Sequence, residues 1–189
     1  MESILNKEVI VNKTDCRIIA VVVFALLTAL GAFVRIPLPF TPVPLTLQTF
    51  FVLLSGAMLG GNFGFLSQLI YLLLGMIGLP IFTYAGCGLT YLFGPTGGYI
   101  LGFLFASFYI GKTIKSLKRI TLLSIFILMC IGSLIILFSG ALWLKILFGY
   151  SFKKVILIGF LPFLPGDLLK AYVASNIFLR LHARRKEVF

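Results

Sequence analysis

Residues Ile36–Gly111 read IPLPFTPVPLTLQTFFVLLSGAMLGGNFGFLSQLIYLLLGMIGLPIFTYAGCGLTYLFGPTGGYILGFLFASFYIG, 76 consecutive positions without one Asp, Glu, Lys, Arg or His. A soluble domain carries about one charged residue in four, because the face it turns to water has to be solvated. A segment this long with none is surrounded by lipid or by other apolar segments. Punctuation inside it marks the elements. Its opening, Ile36-Pro-Leu-Pro-Phe-Thr-Pro-Val-Pro44, holds four prolines within eight positions; these remove backbone donors and fix φ, so the segment is an extended, turn-rich loop. Run Leu45–Leu59 stops at Gly60-Gly61-Asn62, and run Phe63–Ile77 stops at Gly78-Leu-Pro80, both turn signals. A glycine-rich stretch through Gly86, Gly88, Gly94, Gly97 and Gly98 leads into a fourth run that continues to Ile110.

Outward from this stretch the pattern continues. On the N-terminal side lies the apolar run Ile18–Val34, preceded by Met1–Asp15, a short polar tail. On the C-terminal side the basic loop Lys112–Arg119 leads to the longest run, Ile120–Phe148. Lys153 and Lys154 follow, then Val155–Leu164, the break Pro165-Gly166-Asp167, a last run to Leu181, and a basic tail over 182–189. About 20 apolar residues cross a bilayer as a helix. The expected fold is therefore an all-α integral membrane protein, a bundle of six transmembrane helices forming a single domain over residues 1–189, with the second and third runs on the short side. Whole-chain composition agrees: of 189 residues 60% are hydrophobic and 11% charged, with a mean hydropathy of +1.14. A cleaved signal peptide is not expected, since the first apolar run begins only after Arg17, no small-residue cleavage site follows it, and further apolar runs succeed it.

The net charge of +11 does not point to nucleic acid, because the basic residues sit between hydrophobic runs rather than along one face. They set the orientation instead. With both termini cytoplasmic, eleven Lys and Arg fall inside (Lys7, Lys13, Arg17; Lys112, Lys115, Lys118, Arg119; Arg180, Arg184, Arg185, Lys186) against four outside (Arg35, Lys145, Lys153, Lys154), as the positive-inside rule requires. A multi-pass protein of the bacterial cytoplasmic membrane is expected. Trp143 and Lys145 mark its outer interface.

Asp167 is the only acidic residue between Asp15 and Glu187, and Lys170 follows it by three positions, so the two share one helix face. Ionisable residues in a membrane segment are costly and by default mark function, facing a cavity or each other. Pro165 and Gly166 set Asp167 near a helix N-terminus, whose dipole favours its charge. At about 1.5 Å per residue, Asp167 lies roughly 20 Å from the inner boundary marked by Arg180, in the outer half of the membrane. A ligand site with one acceptor and one donor is the functional reading, and a self-satisfied ion pair is the bland one. No catalytic residue is assigned: no second carboxylate or core histidine exists to work with Asp167. Cys16, Cys87 and Cys130 are scattered without metal-ligand spacing, so no metal is expected. Gly111-Lys112-Thr113 ends like a phosphate-binding loop but lacks the upstream glycine and follows a helix. Ala25 and Ala29 form a small-xxx-small pattern, which serves helix packing or docking of a partner membrane protein.

Together, Ile36-Pro-Leu-Pro-Phe-Thr-Pro-Val-Pro-Leu-Thr-Leu-Gln48, Gly78-Leu-Pro80, Leu92-Phe-Gly-Pro-Thr-Gly-Gly-Tyr99 and Pro162-Phe-Leu-Pro-Gly-Asp-Leu-Leu-Lys-Ala171, in this order, resemble the BioY family, the biotin-specific substrate-binding (S) components of energy-coupling factor (ECF) transporters. The resemblance covers about Ile18 to Leu181. It implies a six-helix bundle with both ends cytoplasmic, and one biotin held near the outer face beneath the loop between the first two helices. It also implies a partner module of one transmembrane coupling protein and two ATPases. The chain itself would need no cofactor, ATP being used only by the partners. Ala25 and Ala29 would dock on the coupling protein. Asp167 would accept from a ureido N–H, Lys170 would donate to the ureido carbonyl or balance the acid, and Gly86 and Gly88 would let backbone approach the flat ring. Some relatives carry asparagine where Gly86 stands, which leaves one ureido contact without an owner. For the ligand's carboxylate, Gln48, Arg35 and backbone N–H groups of the proline loop are the candidates. The leading function is high-affinity biotin binding and uptake. The same architecture for another vitamin, a membrane enzyme and a structural subunit are the alternatives, and the enzyme reading lacks paired acids.

Overall fold

The computed structural model of the chain describes residues 13–117 and 119–187, with side chains from residue 16 to 183. Residues 1–12, Lys118 and residues 188–189 lie outside the described residues, as do the side chains of Lys13, Arg184, Arg185 and Lys186, so the charges counted on Lys7 and on these positions are not placed. Seven α-helices follow in order: α1 Lys13–Phe33, α2 Gln48–Leu59, α3 Gly61–Met76, α4 Gly97–Thr113, α5 Leu122–Phe148, α6 Phe152–Gly159 and α7 Leu164–Glu187. A single helical turn, Leu89–Leu92, precedes α4. Arg35–Ile36 and Leu45–Thr46 pair as a two-residue antiparallel ladder on either side of the prolines.

Among the described residues, four stretches are long and apolar enough to cross a membrane: Cys16–Phe33, Gly97–Ser116, Leu122–Phe148 and Phe152–Ala183. Two apolar helices, α2 and α3, are shorter. The expected six helices become seven among the described residues because the last apolar run is broken. Helix α6 starts on Ser151, whose side chain caps Lys154 N–H, and ends at Gly159. A 3₁₀ turn over Leu161–Phe163 containing Pro162 then separates it from α7, since proline cannot continue the α hydrogen-bond ladder. The basic segment from His182, read as a tail, continues α7 to Glu187.

Small residues set how closely the helices pack. In α1 the inward face is Val21, Ala25, Thr28, Ala29 and Ala32, while Ile19, Leu26, Leu30 and Phe33 point outward. Gly60, at φ +84°, turns the chain from α2 into α3. A side chain on Gly111 of α4 would run into the backbone of Gly56, Gly60 and Gly61. Lys112 and Lys115 lie against this corner, and Arg17 sits 5.8 Å over the Phe63 ring, so one end of the bundle is basic.

Helices α2 and α3 both start or stop at that basic end. With 12 and 16 residues they span about 18 and 24 Å at 1.5 Å per residue, less than the ~30 Å of a hydrocarbon core. Their other ends therefore stop short, and the space above them holds the proline hairpin over 35–46 and the glycine-rich loop over 77–96. Irregular backbone in a membrane bundle is tolerated where it lines a cavity. A cavity lies here.

Candidate ligand-binding site

The cavity holds about 490 Å³ of empty space, counting its partly open mouth. Leu45, Thr46, Gln48 and Thr49 line one wall, at the second strand and the first turn of α2. Tyr99, Ile100 and Phe103 of α4, Ile136 and Leu137 of α5, Phe163, and Asp167 and Lys170 of α7 complete it. Of the lining residues only Asp167 and Lys170 are charged.

The break before α7 is what delivers Asp167. Helix α7 begins at Leu164, so Asp167 falls in its first turn, where the helix dipole stabilises a carboxylate. Gly166 admits Leu45, whose side chain occupies the space beside it, and so the hairpin closes against this helix start. Asp167 is 2% exposed. Its Oδ1 meets Lys170 Nζ at 2.6 Å and accepts from Thr49 Oγ1 at 3.2 Å. Lys170 Nζ also donates to Thr46 O at 3.0 Å and to Thr49 Oγ1 at 2.5 Å. An ammonium has three N–H donors, and all three are engaged. Asp167 Oδ2, by contrast, is buried without a partner. A buried charged acceptor with an empty oxygen is costly unless a donor reaches it, so the site is incomplete in its chemistry and ready for an N–H.

Gln48, 4% exposed, is held by a second set of bonds. Its Nε2 donates to Tyr71 OH at 2.5 Å and its Oε1 accepts from Thr46 Oγ1 at 3.2 Å. Gly31 lets the backbone of Gln48 lie directly on α1, and Leu47 N–H bonds back to Gly31 O and Val34 O. The amide is fixed before any ligand arrives.

The structure thus brings Asp167, Lys170 and Gln48 together on one wall. Arg35, Gly86 and Gly88 do not line the cavity. Arg35 stacks its guanidinium 4.0 Å over the Tyr84 ring. A side chain on Gly86 would strike the ring of Tyr91, so this glycine makes room for a protein ring, and Gly88, at φ +84°, starts the turn over Leu89–Leu92. Ala25 and Ala29 are 1% and 6% exposed and pack in a core cluster with Val52, Tyr71 and Leu72. Docking by these two asks for an outward face, and here the bundle covers them. Trp143 is held by Nε1–H donating to Gly94 O at 2.9 Å, and Lys145 lies over the Phe152 ring at 3.3 Å. Gly111-Lys112-Thr113 lies within and at the end of α4, a helix rather than a phosphate loop.

Thr46, Thr49, Tyr71, Thr83, Tyr91 and Tyr99 were not singled out in the sequence. Thr49 is 118 positions from Asp167, and one hydroxyl among many apolar residues carries no spacing signal. The one available clue was adjacency: Thr46 and Thr49 flank Gln48.

The profile of the BioY family matches residues 6–187. A protein of Pyrococcus horikoshii named "Probable biotin transporter BioY" is 42% identical over 161 residues, 85% of this chain and 93% of that protein. The "Biotin transporter BioY" of Thermotoga maritima is 38% identical over 159 residues, 84% and 91% of the two chains. A crystal structure at 2.1 Å described as the S-component for biotin from an ECF-type ABC transporter superposes with a TM-score of 0.86 at 30% identity, covering 91% of this chain and 93% of that one.

Proposed function

The chain belongs to the BioY family, and on that premise we propose that it is a biotin-binding membrane subunit of an ECF-type transporter, holding the vitamin in the cavity beneath the proline hairpin. Its work is uptake rather than catalysis, as for the transporters it resembles. The observation that carries the reading is Asp167 Oδ2: a buried carboxylate oxygen without a partner, on the wall of a cavity, in a bundle otherwise nearly free of charge. Biotin's ureido ring offers two N–H donors, and Oδ2 accepts one of them. Lys170, its donors occupied by Asp167, Thr46 and Thr49, balances the acid and fixes its rotamer. Gln48 presents its amide beside them. Ile100, Phe103, Ile136, Leu137 and Phe163 supply the apolar surface that the thioether ring and the acyl chain require. Arg35, Gly86 and Gly88 act from behind this wall: Arg35 and Gly86 through Tyr84 and Tyr91, Gly88 by shaping the loop.

The bundle lies in the bacterial cytoplasmic membrane with both termini inside. The clustering of Arg17, Lys112 and Lys115 at the end opposite the cavity supports this orientation through the positive-inside rule. The cavity then opens outward, where a scarce vitamin arrives. Energy comes from partners: one transmembrane coupling protein and two ATPases, this chain needing no cofactor of its own. Docking on the coupling protein through Ala25 and Ala29 would require α1 to move away from its core contacts. A panel titration on purified protein tests the ligand. Biotin alone among biotin, riboflavin, thiamine and pantothenate is expected to release heat and saturate. Saturation by another vitamin with none by biotin would overturn the assignment.

A further inference from the structure

Helix α5, with 27 residues, spans about 40 Å at 1.5 Å per residue, more than the ~30 Å of a hydrocarbon core. Its last turns stand at the cavity end, where Trp143 bonds Gly94 O, and so they reach the headgroup layer. Three of the four basic residues assigned to the outer side, Lys145, Lys153 and Lys154, gather at this corner, where Gly149, at φ +64°, ends α5 ahead of α6. Lys145 Nζ lies 3.3 Å from the centre of the Phe152 ring, and Lys154 Nζ 3.7 Å from that of Tyr150. Tyr150 in turn stacks on Phe148 with centroids 5.1 Å apart. A ring occupies only one side of an ammonium, whose remaining N–H donors stay open to a second partner. The protein supplies none of opposite charge. Among the described residues no carboxylate pairs with any of the three lysines, and between Asp15 and Asp167, itself committed to Lys170, the chain has no acidic residue.

We propose that this corner binds the phosphate of an anionic phospholipid headgroup. The build of α6 selects lipid over a water-borne anion. Its inner side is tied down: Val155 is buried, and Tyr99 OH donates to Gly159 O at 2.6 Å. Its outer side carries Phe152, Ile156 and Leu157, all exposed, below the exposed Lys153 and Lys154 of the first turn. An apolar face with lysines at one end has the same layout as a phospholipid: acyl chains cover the first, and the phosphate meets the second. Net negative lipid is preferred because a zwitterionic headgroup brings its own cation to a corner that already holds three. Lysines on the outer side also run against the positive-inside bias, and a bound phosphate offsets their charge.

The test uses tryptophan as a local probe of lipid. Trp143 is the only tryptophan of the chain, so Trp143→Phe/Leu157→Trp moves the reporter to the lipid-facing side of α6, one turn from Lys153. The protein is placed in phosphatidylcholine vesicles holding a minor share of dibrominated phosphatidylglycerol, whose bromines quench a nearby indole. Fluorescence is expected to fall further than with the same share of dibrominated phosphatidylcholine. The difference should amount to about fivefold local enrichment or more, the factor that one lysine contributes near an anionic surface. Adding Lys145→Gln/Lys153→Gln/Lys154→Gln should abolish the preference, whereas Lys145→Arg/Lys153→Arg/Lys154→Arg should keep it. Quenching by dibrominated phosphatidylcholine, unchanged among the three proteins, shows that each is embedded. Equal quenching by the two brominated lipids in the reporter protein would overturn the site, as would a preference that survives the Gln changes. A preference abolished by inorganic phosphate but not by chloride at equal ionic strength would give the corner to a free anion and overturn the lipid assignment.

Discussion

Asp167 and Lys170 form a pair whose two members have different duties. Lys170 satisfies all its donors within the protein, whereas Asp167 satisfies one oxygen of two. Breaking such a buried pair by removing one partner costs about 3–5 kcal/mol, whereas replacing both by neutral groups is often close to neutral. Lys170→Met alone is therefore expected to lower thermal stability sharply in detergent, and Asp167→Asn added to it should restore most of the loss. A double variant no more stable than the single one would contradict the coupling. The pair was legible in the sequence because spacing of three on a helix is a local fact. The hydroxyls that orient it were not. Thr49 and Thr46 reach Asp167 and Lys170 only through the tertiary fold, across 118 and 124 positions. Arg35 was a reasonable candidate on charge alone, but charge does not tell which way a side chain at a hairpin turns, and the Tyr84 ring captures it.

Among the elements, the short helices α2 and α3 matter most. Their length fixes where the bundle is hollow, and their close approach to α4 depends on backbone meeting backbone at Gly56, Gly60, Gly61 and Gly111. A Cβ on Gly111 has only main chain to push against, which cannot swing aside as a side chain can. Gly111→Ala is expected to destabilise by about 1–3 kcal/mol, the usual range for overpacking, with biotin affinity reduced only as far as the cavity shifts. Leu123→Ala, on the exposed face of α5, should leave the melting temperature nearly unchanged. Equal melting temperatures for wild type and Gly111→Ala would contradict the packing account. The helix ends at Gly60 and Gly78 were readable as turn chemistry. The split between α6 and α7 was less so: the sequence put a break at Pro165, whereas the chain breaks at Pro162 and uses Pro165 in the first turn of the next helix, a position where a missing N–H costs nothing.

At the scale of the molecule, the charge-free stretch announced the membrane bundle, and the distribution of basic residues predicts an orientation with both termini inside. What no pattern of residues revealed was the hollow, because a cavity arises from helices that stop short and loops that fold over them. Natural cysteines report the orientation. Cys87 lies exposed in the loop at the cavity end, and Cys16 lies exposed at the basic end of α1. In intact cells, with Cys130→Ser as background, a membrane-impermeant maleimide is expected to label Cys87 and to reach Cys16 only after permeabilisation. The reverse pattern would invert the topology. The most direct test of the whole account is the affinity of purified protein for biotin, measured by calorimetry on the wild type and on Asp167→Asn. Truncating one partner of a buried charged contact costs about 2–5 kcal/mol, so the variant is predicted to bind at least thirtyfold more weakly when titrated well below its own, lowered melting temperature. Biotin binding of equal strength in the two proteins would contradict the claim that the unpartnered oxygen of Asp167 is what the ligand completes.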